Sequence, residues 1–272
     1  MAPGLQFRIS EFRDELRVLS EIAGPFLAPG GSKVLDHLTN QVSGLWAAAP
    51  GTPVILQIDP SWPLETIPSD GAHDHHGGSL FNSLWCRITL RWTVAPIGQP
   101  TKNPAGTRAF EIAGEASTVI ELLVDPWENE AQSIPGEETK VASWRMEVGN
   151  LNEEGNAAPG PLFHIQLPEN PTGDLQLWPH WLSVPRLHCA PVTPMTAIEF
   201  ALTEVFGHRW AEHVASPGTQ KSSLERWGRI QELRLLEYFK WQRDVIEKSS
   251  FGTPLLALRH AAPRVDHFVG LG

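Results

Sequence analysis

Hydrophobic and polar positions along the chain change period twice. From Ser10, which reads as an N-cap, Phe12, Leu16, Leu19 and Ile22 recur at three- and four-residue spacing and predict a helix that Gly24-Pro25 ends. Ser32 opens a second helix with Val34, Leu35, Leu38, Val42, Leu45 and Trp46 on one side, stopped by Pro50 and Pro53. The period then becomes two. Thr52 to Ile58 reads as a short strand. In Leu84 to Val94, six apolar residues from Leu84 to Val94 alternate with Trp85, Arg87, Thr89, Arg91 and Thr93, which predicts a strand with one apolar face. Further strands are expected at 108–112, 118–124, 140–148 and 162–167. No helical pattern separates these strands, so the pairing is expected to be mainly antiparallel.

The helical period returns after Thr193-Pro194, an N-cap followed by a first helical position. Met195, Ile198, Leu202, Val205 and Phe206 are expected inward on a helix running to about His213. A last helix is expected from about Thr219 to Glu247, with Leu224, Trp227, Ile230, Leu233, Leu236, Phe239 and Ile246 as its core stripe. Two helices, about six strands and two or more helices make an α+β fold around a mainly antiparallel sheet. Residues 1–272 read as one domain. The alternative divides them into a β-rich body, 1–192, and a helical C-terminal subdomain, 193–272. Segments 59–82 and 168–194 are dense in Pro and Gly or Pro and Trp, and both read as irregular.

Composition narrows the function. The 21 basic residues against 31 acidic ones give a net charge of −10, which disfavours nucleic acid and anionic membrane as direct partners. Two cysteines, Cys86 and Cys189, build no disulfide framework. Charged residues from Arg8 to Arg17 exclude a signal peptide in that stretch, and no run approaches the ~20 apolar residues that span a bilayer. The expected location is the cytoplasm.

Several constellations could carry chemistry. His73, Asp74, His75 and His76 put three imidazoles and a carboxylate within four residues, a set able to ligate a transition metal. The competing reading is a solvated loop tip, since Gly77-Gly78 follows and ligands need fixed geometry. His164 and Gln166 alternate with Phe163, Ile165 and Leu167, so the two polar residues share one strand face and could line a pocket. Glu204, His208 and Glu212 fall one turn apart on the third predicted helix, where surface pairs are the commoner explanation. Cys86 lies on an apolar strand face and reads as an inert core thiol. Trp178, Trp181 and Arg186 crowd the Pro-rich stretch, as a platform for a ligand or as an aromatic plug for the sheet. On the last helix the apolar positions exceed one stripe, and Leu235, Tyr238 and Trp241 are expected to border a second contact.

No convincing catalytic set emerges. The leading expectation is a non-enzymatic interaction protein, an accessory subunit of a bacterial multi-protein system such as one for defence or stress. Its partner would be another protein or a further copy of itself, with no cofactor. One alternative is a metal-dependent hydrolase whose divalent ion is held by His73, His75 and His76 together with His164. Another is a glycan- or small-ligand-binding domain using Trp178 and Trp181.

Overall fold

Two long strands form the centre of the molecule. In the computed structural model, which describes residues 6–70, 83–99, 108–124, 139–148, 163–166, 186–188, 193–215 and 221–248, β4 (Leu84–Ile97) and β5 (Ala109–Val124) pair antiparallel along nearly their whole length. The other strands are β1 (Gln6–Arg8), β2 (Val54–Ile58), β3 (Leu64–Glu65), β6 (Thr139–Val148), β7 (Phe163–Gln166) and β8 (Arg186–His188). They form one antiparallel sheet in the order β2-β4-β5-β6-β7-β8, with β1 added on β5 and β3 on β4. Among the described residues five α-helices accompany it: α1 (Ile9–Ala23), α2 (Gly31–Gly44), α3 (Pro194–Phe206), α4 (His208–Ala215) and α5 (Lys221–Lys248). The class is α+β, with the helices roughly where the hydrophobic period predicts them.

The alternation in β4 works as expected. Cys86, Ile88, Trp92 and Val94 are buried, while Arg91 on the other face is exposed. Phe7, Phe12, Trp92 and Phe110 meet in one aromatic cluster with centroids 5.1 to 6.0 Å apart. The two strands expected at 108–112 and 118–124 are one strand. Trp92 pairs with Ala116 and Val94 with Ile112, so three β5 residues bulge opposite Thr93. Gly114 lies in that bulge, where an added Cβ would come within 3.1 Å of Thr93 Cβ.

The helix ends depart from expectation by a residue or two. Arg8 rather than Ser10 precedes α1, because β1 runs straight into the helix, and Ile9 N donates to Arg108 O at 3.0 Å. Gly30 rather than Ser32 caps α2. The C-terminal carbonyls of that helix and the following turn are gathered by the buried Arg108. Its Nη1 donates to Leu45 O at 2.9 Å and to Trp46 O, and its Nη2 donates to Ala48 O at 2.6 Å. Thr193 caps α3 as predicted: its Oγ1 accepts from Thr196 N at 3.2 Å, and its N donates to Thr196 Oγ1 at 2.8 Å. The single helix expected to reach His213 is two, broken at Gly207 with φ of +46°.

Helix α5 inverts part of the expected pattern. Leu224, Trp227, Tyr238 and Trp241 are the buried apolar residues, and Gln231 and Arg234 complete the same three-four spacing. Gln231 donates to Glu199 of α3, and Arg234 pairs with Glu15 of α1. Arg226 Nη2 lies 2.5 Å from Asp14 Oδ2, and Ser223 Oγ donates to Glu21 at 2.8 Å. Helix α5 is thus fastened to the first helix by polar side chains. Leu236, Phe239 and Ile246, expected in the core, are exposed instead.

Candidate functional site

Two surfaces collect the residues that could act. The first is the outward side of α5. Among the described residues six large hydrophobics are exposed, and four of them, Leu235, Leu236, Phe239 and Ile246, belong to this one helix. Leu236 and Phe239 are each 56% exposed, far outside the range of a core side chain. The sequence expectation grouped Leu235 with Tyr238 and Trp241. The structure divides that group. Leu235 is at the surface, whereas Tyr238 and Trp241 are 2% and 1% exposed, with rings 5.6 Å apart and the Tyr238 hydroxyl accepting from Gln242 Nε2 at 2.7 Å. Tyr238 and Trp241 are therefore core residues, and the exposed positions belong to their neighbours Leu235, Leu236 and Phe239.

Those neighbours have an order of their own. Arg229, Glu232, Leu236, Phe239, Arg243 and Ile246 are all exposed and follow one another at three- and four-residue intervals. That is a second heptad seam, half a turn away from the seam that faces the core. Arg243 Nε is 3.8 Å from Glu247 Oε1, a pair of two exposed side chains that contributes little.

The second surface is the face of the sheet opposite the buried residues of β4. Its charged residues are organised in rows by strand register, with Trp85, Val119 and Leu123 among them. Glu65 accepts from Arg87 Nε at 2.9 Å, Lys140 pairs with Glu121, and Glu115 is shared by Arg91 at 3.7 Å and Arg145 at 3.3 Å. Arg145 Nε also lies 2.6 Å from Glu147 Oε1, although the N–H is not aligned as a hydrogen bond. The contact is an ion pair.

Towards β8 the register places Glu147 opposite His164, and His164 opposite His188. One step along, Arg145 is opposite Gln166, and Gln166 is opposite Arg186. Residues directly opposite in an antiparallel pair share a face. Two rows of three therefore adjoin, Glu-His-His and Arg-Gln-Arg. The register thus places His164, Gln166 and Arg186, singled out separately in the sequence, on one face of the sheet. His188 and Glu147 join them. Their part was missed because β8 lies in a stretch read as irregular. Its signal was the polar-apolar-polar order of Arg186-Leu187-His188, which repeats that of His164-Ile165-Gln166.

The remaining candidates contribute less. His73, His75 and His76 lie outside the described residues, as do Trp178, Trp181 and Cys189. Glu204, His208 and Glu212 are exposed and separated by the break at Gly207, so they form no common helical face. His213 is a structural group: its Nε2 is 2.8 Å from Ile22 O, and its ring lies against Phe26 and Trp210. Cys86 is buried, and burial pushes its thiol up to about 12 despite a hydrogen bond with Thr66. Among the described residues no three His, Cys, Asp or Glu side chains are arranged to hold a metal, and no helix is long and apolar enough to cross a membrane. Comparison of the chain with protein families, with characterised proteins and with solved structures gives no match.

Proposed function

We propose that the protein is a non-enzymatic assembly subunit that docks through the outward seam of α5, and that its first partner is a second copy of itself. The observation that carries this reading is the self-complementarity of the exposed heptad. When two α5 helices are laid antiparallel about a twofold axis between Leu236 and Phe239, Leu236 of one copy faces Phe239 of the other. The same axis sets Glu232 opposite Arg243 of the second copy, and Arg229 beside its Ile246. Apolar residues then occupy the middle of the contact and opposite charges flank it, as in paired helices that select their own orientation. The seam needs no rearrangement of the fold, because the other side of α5 is held by Glu15, Asp14 and Glu199.

Light scattering on the full chain across a concentration series is the direct test. The wild type is expected to dimerise. Leu236→Glu combined with Phe239→Glu is expected to give a monomer with an unchanged melting temperature, since both side chains are exposed. Glu232→Arg and Arg243→Glu should each weaken the dimer about tenfold or more, roughly 1.4 kcal/mol per decade. The two changes together should restore it, because each reversed charge again meets its opposite. A wild type that stays monomeric at high concentration sinks the reading, and so does a double reversal no stronger than the single variants.

A further inference from the structure

We infer that α5 is held to the body by a proton-sensitive latch, the contact of Glu15 on α1 with Arg234, which grips at low pH and slackens as pH rises. The latch works on the inner side of α5 and does not depend on two copies pairing along the outer seam. Four acids meet polar groups of the helix, and they are unequal. Glu21, which accepts from Ser223, is exposed, and Asp14, which pairs with Arg226, is partly so. Glu199, bonded by Gln231, is half-buried. Glu15 alone is fully buried, so its charge gives up the most hydration when α5 docks. Leu224, Trp227, Tyr238 and Trp241, buried on the same helix, supply the part of the hold that pH does not touch.

The compensation for burying Glu15 is incomplete. Arg234 reaches one carboxylate oxygen, Oε1. Among the described residues Oε2 of Glu15 and Nη1 of Arg234 are buried without a hydrogen-bond partner, although a two-pronged contact would join them. Other charged groups around α1 do not make up the difference. Glu11, one turn back, adds a like charge and is itself met by Arg8 of β1 at 3.3 Å. On α2, Lys33, Asp36 and His37 are exposed, and on α3 Glu199 is taken by Gln231. Burial therefore outweighs Arg234, and the Glu15 carboxyl is held above its ordinary 4.5. When α5 lifts away, Glu15 meets water and its ordinary proton affinity returns. Docking thus draws a proton onto Glu15 in the interval between the two values. The advantage to the docked state is complete below pH 4.5 and is lost as pH climbs through the raised value.

The experiment is native-state hydrogen exchange of the full-length protein between about pH 4 and pH 8, read by peptide mass spectrometry and corrected at each pH for the intrinsic exchange rate. Amides of α5 should exchange well before those of β4 and β5 at every pH, which marks release of the helix rather than unfolding. Their protection should fall with rising pH, by at most about tenfold per pH unit for one proton, and level off above the window. Glu15→Gln keeps the shape, cannot titrate, and should remove that slope. Asp14→Asn weakens a contact that is not fully buried, so α5 should exchange faster with the wild-type slope. The wild-type profile decides the matter even if Glu15→Gln fails to fold. The proposal is overturned if α5 exchanges only together with β4 and β5, or if its protection does not fall as pH rises. It is equally overturned if Glu15→Gln keeps the wild-type slope.

Discussion

Replacing Arg234 with Leu removes the cationic partner of Glu15, and the cost of doing so should depend on pH. The Glu15 side chain is 1% exposed and that of Arg234 is 15%, so water screens neither end well. Burial raises the Glu15 pKa above its ordinary 4.5, Arg234 opposes that rise, and Glu11 adds slightly to it. A raised folded pKa means that the folded state holds the proton more tightly. The group's contribution to stability is complete below pH 4.5 and is lost as pH climbs through the folded pKa. Without Arg234 that pKa rises further and the loss extends to higher pH.

The magnitude has a ceiling, because Glu15 can always escape by staying protonated. Starting from an unfolded value of 4.5, keeping the proton at pH 7 costs about 3.4 kcal/mol, at 1.36 kcal/mol per unit. The ion-pair part of the destabilisation should therefore be small near pH 4.5 and grow by no more than about 2.7 kcal/mol from pH 5 to pH 7. Urea denaturation at several pH values, followed by tryptophan fluorescence, measures this directly. Glu15→Leu with Arg234→Leu removes both charges, should lose the slope, and should come within a few kcal/mol of wild type or exceed it. A penalty for Arg234→Leu that is the same at pH 5 and pH 8 would show that Glu15 carries no charge there, and the reasoning would fail.

The other predictions follow from single contacts. Leu90 is 3% exposed on the inward face of β4, so Leu90→Asp should cost more than about 4 kcal/mol and abolish the cooperative melt; a variant melting within a few degrees of wild type would refute the register. Arg108→Ala strips three carbonyls of their donor and should destabilise by about 2–3 kcal/mol, with faster amide exchange first seen at the end of α2. With its thiol pushed up to about 12, Cys86 should resist alkylation at pH 8 until the protein unfolds, and peptide mapping that finds it modified at the rate of a free thiol would contradict its burial.

How much could be read in advance depends on where each residue finds its partner. The strand from Leu84 was legible because its alternation is local and one face is buried. The strand expected in two pieces, 108–112 and 118–124, is one strand because the residues between them bulge opposite Thr93 instead of breaking the pairing, and Gly114 suits the close approach to Thr93 there. The core face of α5 was illegible for a different reason. Gln231 and Arg234 look like surface residues until their partners are known, and those partners, Glu199 and Glu15, are 32 and 219 residues away. The stripe read from apolar residues alone put Leu236, Phe239 and Ile246 inward, which the structure reverses. The sheet patch was half visible. His164 and Gln166 were readable from alternation, but only the pairing of a three-residue strand, β8, adds His188 and Arg186 to the same face.

The layout of the sheet also sets an order of assembly in time. Ile97 pairs with Ala109, closing a loop of about 11 residues, while Phe7 pairs with Phe110 across about 100 and Arg234 meets Glu15 across 219. Loop-closure entropy grows as (3/2)RT ln n, so the second closure costs about 2 kcal/mol more than the first if made alone. The β4–β5 hairpin is thus the natural nucleus. Each strand added to it shortens the effective loop for the next, and β1 brings α1 into place as it docks. Helix α5 is expected late on this argument, because the α1 groups that hold it, Asp14, Glu15 and Glu21, are more than 200 residues away in the chain. Contacts made late are also the ones that govern how fast the native state opens. The helix that carries the exposed seam is, on this order, the element whose release starts unfolding, and a partner bound along it would act as a brake on that first step.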